Sequence, residues 1–240
     1  DPWYGLYRTI SSVNDALFAV DRGVIVVDTL RTMRTKAVGK FMQGISYGYL
    51  GLYFDKAFVI DEKVKLDTLT NPQYKTYKEV TAAGIAQIDT AIAVASKFNF
   101  TLPLDSWLYT AMTRDQFVQL ANSFAARLMV YSARTRAERA AVNWTEVIRR
   151  VDAGIKTDFA PVAQSLILWD DWKRLVARLR TTGRPSDFGR PAYDLIGPAD
   201  STNGYLNWTN TPLTSRLGFQ MVTKDRRIQG TTGPASAGTY

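Results

Sequence analysis

The sequence contains no cysteine and no histidine. That double absence removes thiolate nucleophiles, the usual zinc ligand sets, the Ser-His-Asp triad and the histidine general base. Any chemistry would fall to carboxylates, Lys, Tyr or Ser, and neither a metal nor a cofactor is expected. Without cysteine there is no disulfide signal, so composition leaves the redox compartment open. Long hydrophobic runs are also lacking. The most apolar stretch, residues 41–54, is interrupted by Gln43, Ser46 and three Tyr, short of the roughly 20 residues that span a bilayer. The opening Asp1-Pro2-Trp3 reads as a helix start rather than a secretory leader.

Negative charge is in short supply: 22 Asp and Glu face 30 Lys and Arg, a formal net charge of +8. Such an excess favours anionic partners. The cations are scattered, however, with their densest patches at 31–40, 134–139, 149–150, 173–184 and 224–227. On helices these read as solvated faces, so no nucleic-acid partner is expected.

What is present is a normal complement of core-forming residues. The 240 residues are 46% hydrophobic and 12% aromatic, with six Trp and twelve Tyr, enough for one large domain or two small ones. Leu6, Ile10, Val13 and Leu17 recur at spacings of four, three and four, which predicts an amphipathic helix over about 3–19. Asp21-Arg22-Gly23 ends it, and the β-branched run Val24 to Val27 is either extended or leads into the next helix. A second helix is predicted over about 28–54, with Leu30, Met33, Ala37, Phe41, Gly44, Gly48 and Leu52 on one face. Gly44, Gly48 and Gly51 each cost roughly 1 kcal/mol relative to Ala, a penalty that makes sense if another helix packs closely there.

Further helices carry recognisable starts. Asn71-Pro72 is an N-cap followed by Pro at the first helical position, leading to Tyr77, Val80, Gly84, Ile88 and Ala91. Thr113-Arg114-Asp115-Gln116 is a capping box ahead of Phe117, Leu120, Phe124, Leu128 and Tyr131. Asn143 caps a shorter helix through Val147, Ile148 and Val151 to a stop at Gly154. Alternate helices therefore begin near residues 3, 72 and 143, an interval about twice the roughly 34-residue tetratricopeptide period. From about Thr181 onward Gly, Pro, Asn and Thr become frequent, and Asn203-Gly204 reads as a turn. The predicted fold is all-α, tetratricopeptide-like helical hairpins with a loop-rich C-terminal third. Residues 1–155 form the helical core, and 156–240 form an extension packed on it in the same domain.

Three strings resemble the SusD/RagB surface lipoproteins, whose core is built of tetratricopeptide-like units. Trp3-Tyr4-Gly5-Leu6-Tyr7-Arg8 with Ile10 and Val13-Asn14 looks like that family's "W-x-x-L-Y-x-x-I-x-x-A-N" helix. The stretch from Lys40-Phe41-Met42-Gln43-Gly44 to Tyr53-Phe54-Asp55 is similar to the "R-F-L-R-A-x-x-Y-F-x-L-x-x-x-F-G-D" helix that follows. Ala125-Ala126-Arg127-Leu128-Met129-Val130-Tyr131, with Asn143-Trp144 and Val147-Ile148 behind it, resembles "A-A-x-A-L-L-A-R-x-Y-L" and "W-x-x-V". The resemblance covers roughly residues 3–155. It implies binding of glycans or peptides without catalysis, surface exposure at the cell outer membrane, and delivery to a TonB-dependent (SusC-like) transporter. The family's lipidated Cys is not among these residues.

A bound sugar requires exposed aromatic faces flanked by planar polar side chains. Two groups fit. Trp169 and Trp172 flank Asp170 and Asp171, and Tyr205, Asn207, Trp208 and Asn210 lie in a turn-rich stretch read as a loop, where ligand contacts are commonly carried. Two Trp three apart also form one face of a helix that docks on a core. Asp170 and Asp171 are poorly arranged as a glycosidase pair: adjacent helical residues point about 100° apart, whereas that reaction needs two carboxyls facing each other across a sugar. No catalytic residue is expected. A second function class remains open, a helical-repeat scaffold that assembles with itself or with other envelope proteins.

Overall fold

The structure, a computed structural model, describes residues 1–64, 69–103, 111–159, 197–219 and 222–224. The chain divides into two compact units, Asp1–Val162 and Ala163–Tyr240. Among the described residues it is mostly helical, and its only strands are two antiparallel two-residue ladders.

The first unit begins with α1 (Pro2–Asp21). The Asp1 carboxylate accepts the Trp3 amide at 2.9 Å, and Pro2 occupies a first-turn position where a missing N–H costs nothing. Ile10 and Leu17 are buried as the spacing predicts, and Val20, beyond the predicted end of the helix, is buried with them. Helix α2 (Thr29–Tyr53) is capped by the Asp28 carboxylate on the Arg31 amide. It is buried on more than one face, because Lys40, Gln43 and Ser46 are enclosed as well as Phe41, Gly44 and Gly48. Two expectations change here. Leu30, placed on the inner face by periodicity, is exposed at the first turn, and Lys40, read as part of a solvated patch, is buried.

The glycines of α2 meet α3 (Tyr77–Ala95) at a close crossing. A Cβ on Gly44 would stand 2.7 Å from the Gly84 carbonyl oxygen, and one on Gly84 would stand 2.7 Å from both the Gly44 oxygen and the Gly48 nitrogen. A Cβ on Gly51 would strike Thr81, and one on Gly48 would strike Leu128 of α4 (Arg114–Tyr131). As α2 ascends through 44, 48 and 51, α3 descends through 88, 84 and 81, so the pair is antiparallel. Helix α1 is also antiparallel to α2, with Asn14 opposite Gln43 and Leu17 opposite Gly39.

Between α2 and α3 the chain is held by side chains. The Tyr7 hydroxyl donates to the Phe58 carbonyl at 2.9 Å and accepts the Phe58 amide at 2.6 Å; Tyr47 does the same at Ile60, at 2.6 and 3.1 Å. Each hydroxyl thus replaces a neighbouring strand, and burial pushes the Tyr7 phenol up to about 12 and the Tyr47 phenol higher still. Below them Lys40 Nζ bonds Glu62 at 2.7 Å, while Gln43 Nε2 bridges Glu62 at 2.8 Å and Asn14 at 2.6 Å. Asn14 in turn donates to the Ile60 carbonyl at 2.8 Å.

The Asn71-Pro72 start is corrected. Residues Lys75–Thr76 (β2) pair with Lys56–Ala57 (β1), and α3 begins at Tyr77 under a capping box from Thr76 and Glu79. The chain is committed to the ladder until Thr76, so the helix waits for the later cap. At Thr113 and Asn143 the expected caps form, opening α4 and α6 (Trp144–Asp152). A five-residue helix α5 (Arg136–Ala140), not expected, sits between them under its own capping box from Thr135 and Glu138. Strands β3 (Thr101–Leu102) and β4 (Met112–Thr113) close the approach to α4. The larger core joins Phe41, Ile88, Ala91, Phe100, Phe117, Leu120 and Leu128, with Phe41 edge-on to Phe117 and Phe124. Tyr131, placed on that face by spacing, is exposed.

Candidate functional site

In the second unit the described residues fold around one carboxylate. Asp200 accepts the Tyr205 amide at 3.1 Å, the Val222 amide at 3.0 Å and the Thr202 hydroxyl at 2.9 Å. Burial alone would raise its pKa, but these donors hold it below the usual carboxylate value. It is therefore an anion spent on positioning, and it has no proton to donate near neutrality. Asn203 adopts φ 62°, a left-handed conformation Asn tolerates, and the turn releases into α7 (Gly204–Asn210). The stretch expected to be a loop is thus a short helix after a turn.

That helix places Tyr205 and Trp208 one turn apart. Their rings lie 6.4 Å apart between centroids and within 20° of parallel, and Phe219 closes the group at 6.3 and 6.1 Å. The Arg216 guanidinium sits 4.5 Å over the Trp208 ring, held there by bonds to the carbonyls of Thr211 at 2.8 Å and Thr209 at 3.0 Å. Gly197 lies against the Tyr205 ring, where a Cβ would overlap it. Tyr205 and Trp208 are half-buried, and Asn207 between them is exposed. The cluster is therefore a small aromatic core with a fixed cation over one ring, and Asn207 is exposed on a different side of α7. The Tyr205 and Trp208 rings set apolar surface beside a cation, and among the described residues of this unit Asp200 is the only carboxylate, so no pair is available there for acid-base work. Trp169 and Trp172 lie outside the described residues.

In the first unit, ionic groups gather where α2 ends and α3 begins. Arg134 bonds the Asp55 carboxylate and the carbonyls of Gly51 at 2.8 Å and Phe54 at 2.9 Å, with its guanidinium 3.9 Å over the Tyr77 ring. The Tyr77 hydroxyl and the Lys78 ammonium both meet Glu138, which Lys78 first and Tyr77 second hold far below its usual pKa. Perturbed carboxylates often mark active sites. Here each group is already spent, Arg134 on the free carbonyls of the α2 C-terminus and Glu138 on the α5 cap. Arg150 is likewise buried on Asp89, through bonds of 2.7 and 3.0 Å, which corrects its reading as a solvated cation.

Sequence reasoning missed Phe219 and Arg216 in the aromatic group, and Asn14, Lys40, Gln43 and Glu62 in the buried clamp. The strong polar pattern on α2 was a signal for the clamp: Lys40, Gln43, Ser46 and Tyr47 repeat at three and four residues, the spacing of a second buried stripe. Among the described residues no group of three or more Asp or Glu side chains converges to hold a metal. No helix among them is long and apolar enough to cross a membrane. No protein-family model, curated protein or solved structure matches this chain.

Proposed function

We propose that the chain binds a nutrient, an oligosaccharide or peptide, at the outer-membrane surface without transforming it, and passes it to a TonB-dependent transporter. The observation that carries the binding step is the near-parallel Tyr205–Trp208 pair with Arg216 fixed over the Trp208 ring. Aromatic faces next to planar polar groups suit the C–H surfaces and hydroxyls of a sugar. The antiparallel run of α1, α2 and α3 supports a tetratricopeptide-like arrangement. Delivery to a transporter rests on the three helical strings that resemble the SusD/RagB lipoproteins.

Calorimetric titration of the whole chain against oligosaccharide and peptide panels tests the reading. One class should bind, and Tyr205→Ala or Trp208→Ala should weaken binding at least about tenfold, some 1.4 kcal/mol. Silence across both panels, or variants that bind as well as the parent, refutes it.

A second reading, a self-assembling envelope scaffold, is favoured by one feature. Trp144, Ile148 and Val151 follow the 4-3 spacing of an apolar helix stripe and are exposed along α6. Sedimentation velocity over a range of concentrations separates the two. Growth with concentration that Ile148→Asp abolishes favours the scaffold, and a monomer that binds ligand favours capture.

A further inference from the structure

The loop between α1 and α2 presents four consecutive aliphatic side chains to solvent. Val24, Ile25, Val26 and Val27 have relative exposures of 52%, 67%, 36% and 77%, and Phe18 and Leu30 beside them are also exposed. Single exposed apolar residues need no explanation, but a contiguous group at the end of a hairpin does.

The loop is built to this shape. The Val24 amide bonds the Ala19 carbonyl at 3.1 Å, the Val26 amide bonds the Thr32 hydroxyl at 2.8 Å, and the Asp28 amide bonds the Val26 carbonyl at 2.8 Å. That last bond closes a three-residue turn with Val27 at its centre and at φ 65°, a left-handed conformation costly for a β-branched residue. Thr32, itself buried, ties the loop to the first turn of α2. The aliphatic groups are therefore held outward by ordered backbone.

Positive charge surrounds them. Within residues 18–36 there are four cations, Arg22, Arg31, Arg34 and Lys36, and two carboxylates, Asp21 and Asp28. Both carboxylates are engaged locally, Asp21 by Lys36 at 2.6 Å and Asp28 by Arg31 at 3.1 Å. Arg22 lies over the Phe18 ring and Arg34 donates to the Thr101 carbonyl, so neither meets a carboxylate among the described residues. The Asp28 carboxylate caps the first turn of α2, so the field at the tip comes from Arg22 and Arg34 rather than from the helix end.

We infer that this hairpin tip docks on an anionic lipid bilayer, with Val24, Ile25 and Val27 entering the interface and Arg22 and Arg34 meeting headgroups. The four aliphatic residues ask for a non-directional apolar medium, and the cations supply the second signal that stable peripheral binding requires. The inference is independent of ligand binding at Tyr205 and Trp208.

The test is flotation of the whole chain with vesicles of phosphatidylglycerol and phosphatidylcholine, or of phosphatidylcholine alone. At low ionic strength the mixed vesicles should bind at least tenfold more protein. Replacing Val24, Ile25 and Val27 together by Ser, which keeps every charge, should lower that binding at least tenfold with an unchanged helical circular dichroism spectrum. Because the chain has no cysteine, Ile25→Cys takes a single polarity-sensitive dye, whose emission should shift to the blue on mixed vesicles. Equal binding by the Ser variant would trace any attraction to general basicity and overturn the inference. So would absence of binding to mixed vesicles, an unshifted dye, or a tip that mediates concentration-dependent self-association instead.

Discussion

Two glycines on helices supply a matched test of the closest contact in the fold. Gly5 lies in α1 with nothing within 4 Å of an added Cβ, whereas a Cβ on Gly84 meets two backbone atoms of α2 at 2.7 Å. Both positions gain the same helix propensity on substitution by Ala, about 0.5–1 kcal/mol. At Gly5 that gain stands alone, so Gly5→Ala stabilises by about 0.5–1 kcal/mol. At Gly84 ordinary contact near 3.4 Å demands that the helices part by about 0.7 Å, and neither obstacle is a side chain that can turn away. Over-packing of this kind costs about 1–3 kcal/mol, and rigid backbone places it in the upper half of that range. Gly84→Ala should therefore lose about 1–2.5 kcal/mol net. Urea unfolding followed by circular dichroism reads both as shifts in midpoint at constant slope. If Gly84→Ala is stabilised like Gly5→Ala, the α2–α3 crossing is not glycine-mediated and the packing derived from it is wrong.

The Lys40–Glu62 pair gives a second test: Glu62→Gln strands a buried ammonium and should cost about 3–5 kcal/mol, while Lys40→Met with Glu62→Leu should be far milder, both read by urea unfolding. Its pH signature follows from direction. Burial raises the Glu62 carboxyl, Lys40 and Gln43 lower it, and the net is below the ordinary 4.5, so its stabilisation is complete above that value and is lost as pH falls below it through the depressed folded-state pKa. The fall in melting temperature between about pH 5 and about pH 3 should be smaller in Glu62→Gln than in the parent. Val27→Gly removes a left-handed valine worth about 1–2 kcal/mol of strain and returns about 0.5–1 kcal/mol to the unfolded chain, so the melting temperature should rise slightly. A fall would refute the strained turn. Arg134→Met loses the bonds to the α2 carbonyls and the Tyr77 contact and should cost about 1–2 kcal/mol by the same urea assay, whereas a neutral result would mean that water satisfies that helix end equally well.

Helices were legible wherever local chemistry decided them. Thr113 and Asn143 cap α4 and α6 because a short side-chain oxygen reaches an amide two or three residues on, and that geometry is encoded within four residues. Gly44, Gly48 and Gly51 announced a close neighbour for the same reason: their cost has to be offset by something outside the helix. The start of α3 was misplaced because Lys75–Thr76 is claimed by Lys56–Ala57, a partner about twenty residues upstream that leaves no trace near Asn71. At the aromatic group, the spacing of Tyr205 and Trp208 was visible, but Phe219 and Arg216 reach them only through the path of residues 211–218, which has no periodicity to read.

The fate of charged residues follows the same division. Lys36 and Lys40 lie one turn apart on α2, yet the first meets Asp21 near the surface and the second is sealed against Glu62. Periodicity alone favours solvent for both, since a buried ammonium without a partner is costly. What changes the answer for Lys40 is the connector, whose backbone at Phe58 and Ile60 is gripped by Tyr7 and Tyr47 and so delivers Glu62 to one place. The clamp thus converts an irregular segment into an ordered layer without a strand beside it. It depends on hydroxyls and amides projecting from α1 and α2, both upstream of the connector, so no local pattern in the connector could disclose it.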